Sequence, residues 1–116
     1  MGDYAQARDF LRERVALRNA QELYALEMLI NINERMVVQT NDPEMQRKYY
    51  LEMLESLTRL QALSRNPFYW YRLGRVYLWL GEKDEARRCF TEAARRLPPG
   101  SPYIAAALKL AEDLSR

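Results

Sequence analysis

Histidine is absent from the 116-residue sequence, which contains a single cysteine, Cys89. Catalytic triads and metal sites that depend on histidine are therefore excluded. One cysteine cannot form a disulfide within the chain, which fits a reducing compartment. A thiol with a lowered pKa would be reactive, but the position of Cys89 between Arg88 and Phe90 on a predicted helix favours a packing role. We expect no catalytic residue, no metal and no cofactor.

Glycine-rich loops and long apolar runs are also missing. The four glycines are scattered, so the sequence has no glycine-rich phosphate-binding loop. No segment approaches the roughly 20 apolar residues that span a bilayer, and the start, MGDYAQARDF, lacks the pattern of a signal peptide. The formal net charge is only +2, so no strong field points to nucleic acid. We predict a cytoplasmic protein without a membrane span.

Three prolines mark predicted helix starts in a chain that is 48% hydrophobic and 29% charged. Each follows a residue whose side-chain oxygen can cap a helix, in the pairs Asp42-Pro43, Asn66-Pro67 and Ser101-Pro102. Proline is favourable at the first helical position because no hydrogen bond is lost there. No alternating apolar run is bounded by hairpin turns. The sequence predicts an all-α fold, organised as a single domain over residues 1–116.

The first half of the chain predicts an antiparallel helical hairpin over residues 1–64. Its first helix spans residues 4 to about 38 and would be about 50 Å long if unbroken, although Asn31 and Asn33 could mark a kink. Two apolar rows recur every seven residues along it, Phe10-Leu17-Tyr24 and Leu23-Ile30-Val37. In the second helix an apolar seam contains Tyr50, Met53, Leu57 and Leu60. We interpret this seam as core packing, with an intermolecular coiled coil as the alternative.

Residues 67–100 carry a second regular pattern. Trp70, Leu73, Gly74 and Tyr77 follow the spacing W-x-x-L-G-x-x-Y, and the pattern continues with Gly81, Ala86, Phe90, Ala93 and Pro98. This segment resembles the tetratricopeptide repeat, a helix–turn–helix unit of about 34 residues. Residues 101–116 resemble the closing helix of such an array. One repeat cannot bury its own apolar faces, so either the N-terminal hairpin or a second chain has to supply the missing layers.

The repeat positions also have a physical interpretation. Gly74 lacks a side chain and allows close approach of the second helix, where Ala86 and Ala93 are small counterparts. Larger side chains fill the space around this contact, namely Trp70, Leu73, Tyr77 and Phe90. Alternation of large and small residues lets two helices interdigitate.

A second face of the first repeat helix is rich in aromatic and arginine side chains. The resemblance implies that one side of this helix lines a groove that binds a partner, and the candidate residues are Phe68, Tyr71, Arg72, Arg75, Leu78 and Trp79. Aromatic and arginine residues are common at interfaces. Alternatively, helix 43–63 covers this face within the monomer. Tyr71 and Arg75 occupy the positions where a carboxylate clamp of the family would have lysine and asparagine, which favours a helical or extended apolar peptide as partner.

We therefore predict a non-catalytic protein-interaction module that acts as an adaptor, assembly chaperone or accessory subunit. One alternative is a structural subunit of a permanent homo- or hetero-oligomer, formed through the N-terminal helices. A third is binding of nucleic acid or an anionic surface through the arginine doublets Arg87/Arg88 and Arg95/Arg96 on one helix face. Glu85 and Glu92 on the same helix offset part of that charge.

Overall fold

The computed structural model describes residues 3–15 and 19–116, with the side chains of residues 12–19 outside the described part. The described residues form six α-helices and no strand, which confirms the predicted all-α fold. The helices are α1 (Asp3–Val15), α2 (Asn19–Gln39), α3 (Pro43–Ser64), α4 (Phe68–Trp79), α5 (Lys83–Arg96) and α6 (Pro102–Leu114). Two compact units are distinguished, Met1–Ser64 and Arg65–Arg116, and the single domain predicted from the sequence stays a prediction.

The three predicted capping residues all accept hydrogen bonds from helix starts. Asp42 Oδ1 accepts from the Glu44 backbone N–H at 3.0 Å, and Asn66 Oδ1 accepts from the Phe68 N–H at 3.0 Å. At the third helix start, Ser101 Oγ accepts a hydrogen bond from the Tyr103 backbone N–H at 3.2 Å. Each oxygen satisfies an amide that has no partner within its own helix.

The first unit contains three helices, so the predicted single helix over residues 4–38 is wrong. Arg35, near the end of α2, donates from Nη1 to the Tyr4 hydroxyl near the start of α1 at 2.8 Å, so α1 and α2 run antiparallel. Arg59, late in α3, donates from Nε to Glu22 Oε1 early in α2 at 2.7 Å. Helices α2 and α3 therefore form the predicted antiparallel hairpin, and α1 folds back onto it.

The two predicted apolar rows differ in burial, and the row Leu23-Ile30-Val37 faces inward more than the other, although Leu23 and Val37 are only half-buried. Ile30 is fully buried, whereas Phe10 and Tyr24 from the other row are 58% and 67% exposed. Leu17 lies outside the described side chains. The reversal between α1 and α2 breaks the row that contains Phe10 and Tyr24, because its members no longer share one helix.

The predicted seam of α3 is confirmed except for one residue, and the predicted break at Asn31 and Asn33 does not interrupt α2. The seam of α3 buries Met53, Leu57 and Leu60, but Tyr49 rather than Tyr50 is buried with them. Asn31 and Asn33 both lie within α2, which continues from Asn19 to Gln39.

The second unit packs α5 against both α4 and α6. Its core combines the ring of Phe90 with the small side chains of Ala86, Ala93 and Ala107, all at 0% exposure, and with the buried ring of Tyr71. Gly81 has a φ of +82° in the turn between α4 and α5, a conformation that glycine adopts without steric cost. Among the described residues, every helix is too short or too polar to cross a membrane.

Arg65, which follows the last residue of α3, has a φ of +58° and is the one described residue other than glycine with a positive φ. The left-handed conformation costs an L-residue roughly 1–2 kcal/mol. We expect Arg65→Gly to raise the free energy of unfolding by about 0.5–1 kcal/mol, after the greater entropy of glycine in the unfolded chain is subtracted. Urea denaturation measures the change. Arg65→Ala is the matched control and should give no gain, because it keeps a Cβ; equal stabilisation by both variants would contradict the backbone explanation.

Candidate partner-binding surface

The geometry of α4 is set by its contact with α5 at Gly74. A Cβ built on Gly74 would lie 2.7 Å from Cε1 and 2.8 Å from Cδ1 of Phe90. Such distances leave no room for any side chain, so the Phe90 ring occupies the space above the glycine. The sequence interpretation placed Ala86 and Ala93 opposite Gly74, but the nearest atoms belong to Phe90. Ala86 and Ala93 are fully buried in the same core.

The other residues of the predicted repeat pattern lie around this contact. Leu73 is buried, and Trp70 and Tyr77 are half-buried and pack against the core of the second unit. The Arg96 guanidinium lies over the Trp70 ring, 5.7 Å from its centroid. Pro98 follows α5 and is exposed.

The predicted groove residues divide into two groups. Tyr71 is buried, 5.7 Å from the Phe90 ring centroid and 5.2 Å from that of Tyr103 on α6. Phe68 is half-buried and stacks 5.8 Å from Tyr71, with its ring also 4.8 Å from Tyr103. Leu78 is half-buried and packs against the same core. These three side chains contribute to packing within the unit, so we leave them out of the proposed binding surface.

The second group comprises Arg72, Arg75 and Trp79, which we call the α4 outer face. Arg75 is exposed, and its guanidinium lies 5.2 Å from the centroid of the Trp79 ring, whose residue is 45% exposed. Arg72 is half-buried and lies over the Tyr69 ring at 5.8 Å. No carboxylate among the described residues pairs with Arg75. The α4 outer face therefore combines an accessible apolar ring with a cation that stacking holds in place.

Sequence reasoning missed Tyr103. Its ring contacts both Phe68 and Tyr71, so it covers the side of α4 that carries these two residues. Tyr103 is on a different helix, more than thirty residues along the chain, so helical periodicity within α4 could not identify the contact. Its position directly after Pro102, at the start of a helix with an alanine-rich face, was the available signal.

The arginine doublets on α5 are engaged by carboxylates of the same helix. Glu92 Oε2 accepts from Arg96 Nε at 2.6 Å and from Arg95 Nη2 at 3.1 Å, and these hydrogen bonds and charges lower the pKa of Glu92. Arg88 Nη2 donates to Glu85 Oε2 at 2.6 Å. The local pairing reduces the positive field that this helix presents, which weakens the argument for nucleic acid as a partner.

Comparison with known families supports the assignment of this helical pair. Residues 61–99 of the chain match the family model described as tetratricopeptide repeat. A comparison with curated proteins found no match. The matched segment contains α4 and α5 and corresponds to a single repeat of this kind, and α6 follows it as an additional helix. Repeats of this family are in general protein–protein interaction modules, typically without catalytic activity.

Replacement of Gly74 tests the contact that sets the geometry of the repeat. We expect Gly74→Ala to lower the free energy of unfolding by about 1–2 kcal/mol, because the overpacking penalty against Phe90 exceeds the helix-propensity gain of alanine. Urea denaturation of the variant and the wild type measures this. In a Phe90→Leu background the same change should lose most of its penalty. An equal loss in both backgrounds would mean that the Phe90 ring is not the cause.

Cys89 provides a probe of the same core. It is 1% exposed, and burial raises the pKa of its thiol to about 11 from an ordinary 9.0. At pH 8 we expect reaction with Ellman's reagent at least about 100-fold slower in the native than in the urea-unfolded chain. Because the folded state keeps the proton to a higher pH, the Cys89 contribution to stability should decline as pH rises from about 9 towards 11. Equal rates in both states would contradict a buried thiol.

Proposed function

We propose that the protein is an adaptor, assembly chaperone or accessory subunit that holds a helical or extended segment of a partner protein on the α4 outer face. The tetratricopeptide repeat supports a protein partner in general. The pair of Arg75 and Trp79 carries the more specific proposal. We place this function in the cytoplasm, where the one free thiol fits a reducing environment.

The chemistry of the pair supports recognition of a mixed apolar and acidic segment. An exposed tryptophan supplies a large rigid contact area at small entropic cost, and residues of this kind often dominate binding energy. Stacking on Trp79 restricts the Arg75 side chain before binding, so less entropy is lost when it pairs with a partner carboxylate. An amphipathic helix with an acidic residue next to an apolar one satisfies both groups.

The central test changes both residues at once. We expect the variant Arg75→Glu with Trp79→Ala to reduce capture of the partner from source-cell extract at least about tenfold, because it removes the apolar anchor and reverses the charge. Quantitative mass spectrometry of the captured proteins measures the effect. Circular dichroism and the melting temperature should stay near those of the wild type, since Arg75 and Trp79 are both exposed.

The chain offers a matched control on α3. Arg47 and Leu51 have the same spacing of four residues, and both are exposed, Leu51 at 44%. The variant Arg47→Glu with Leu51→Ala should leave capture unchanged. Unaltered capture by the Arg75/Trp79 variant would contradict the proposed surface, and unfolding of that variant would assign its residues to the core.

A further inference from the structure

The described side chains of helix α1, those of residues 3–11, bury little apolar surface against the α2–α3 hairpin. Among residues 3–11, the only buried side chain is that of Arg8, while Tyr4, Ala5 and Leu11 are half-buried and Phe10 is 58% exposed. Burial of apolar surface is the main favourable term in helix packing, at about 25 cal/mol per Å². The described part of α1 therefore gains little stability from its position.

The buried contact that α1 does make is polar and incompletely satisfied. Arg8 Nη1 lies 3.5 Å from Glu52 Oε2, and the guanidinium lies 5.4 Å from the centroid of the buried Tyr49 ring. Nε and Nη1 of Arg8 have no hydrogen-bond partner among the described residues. A buried polar group without a hydrogen bond costs about 1–3 kcal/mol. This cost lowers the free energy needed to release α1 from the hairpin, a step that any exchange of α1 requires.

The segment between α1 and α2 also lacks the residue types that end helices at the other connections of the chain. Residues 16–18 are alanine, leucine and arginine, three of the strongest helix formers. The other four connections contain residues that end helices or are followed by one, in order Asp42 before Pro43, Asn66 with Pro67, Gly81, and Pro98 with Pro99 and Gly100. Local sequence preference thus favours a continuous helix through the segment that joins the antiparallel helices α1 and α2.

These three observations lead to one proposal, which lies beyond the proposed function and concerns the other unit. We propose that α1 exchanges between copies of the chain, so that α1 of one molecule occupies the site on α2 and α3 of a second. The contacts within one chain define what occupies this site. Arg8 of α1 contacts Glu52 and Tyr49 of α3, and Tyr4 of α1 accepts a hydrogen bond from Arg35 of α2. Exchange repeats these contacts and removes the reversal that the connecting sequence disfavours, which is the usual route to a swapped dimer.

The test places single cysteines on two different chains that lack the native thiol. One chain carries Cys89→Ala with Tyr4→Cys, and the other carries Cys89→Ala with Arg35→Cys, because the Tyr4 and Arg35 side chains meet at 2.8 Å. The two are mixed, equilibrated and treated with a short bismaleimide. We expect a covalent heterodimer at least about tenfold above background, together with dimer mass by light scattering between about 10 μM and about 1 mM.

Two controls make the result specific. A Tyr4→Cys chain mixed with a Thr91→Cys chain reports random collisions, since Thr91 is an exposed residue on α5. Replacement of residues 16–18 by Gly-Asn-Gly should favour the reversal and reduce the Tyr4–Arg35 heterodimer at least about tenfold, with the helix content retained. Cross-linking no greater than the Thr91 control would overturn the proposal, whether the mass is that of a monomer or a dimer. Neither outcome depends on the α4 outer face.

Discussion

The ring of Phe90 covers Gly74 so closely that a Cβ at this position would lie 2.7 Å from it. Van der Waals repulsion at such a distance means that α4 and α5 can approach as they do only if one of them lacks a side chain at the contact. Ala86 and Ala93 extend the same close approach along α5. Because the Gly74 side of α4 packs against α5, the directions of the other side chains of α4 are fixed. The accessibility of Arg75 and Trp79 follows from that constraint.

The aromatic residues of α4 serve two purposes that their sequence does not distinguish. Tyr71 and Phe68 meet Tyr103 of α6 and complete the packing of the second unit. Trp79 carries a stacked arginine and remains accessible. A helix with large apolar groups on more than one side has to bury each of them against a neighbour or present it to solvent. Here Phe68 and Tyr71 pack against α6, whereas Trp79 on the α4 outer face stays exposed. The proposed surface is therefore smaller than the sequence predicts.

The two units differ in how well the local sequence preference for helices and turns agrees with the tertiary packing. In the second unit, capping residues, turn residues and small packing residues all favour the observed helical pair, and such agreement between levels is typical of a well-specified structure. In the first unit, α2 and α3 share an apolar seam that buries Met53, Leu57 and Leu60. Helix α1 instead combines a helix-favouring connection with a buried arginine. Its position is set by tertiary contacts against local preference.

The sequence alone determined helix starts at Pro43 and Pro102 and, to within one residue, at Pro67, together with the turn at Gly81 and the repeat spanning α4 and α5, because each depends on residues close together in the chain. It did not determine the reversal between α1 and α2, where no glycine or proline marks a turn. Nor could it separate Tyr71 from Trp79, since the periodicity of α4 gives directions around the helix but not the neighbour in each direction. Those decisions came from side chains distant in sequence, Tyr49 and Glu52 opposite Arg8, and Tyr103 opposite Tyr71.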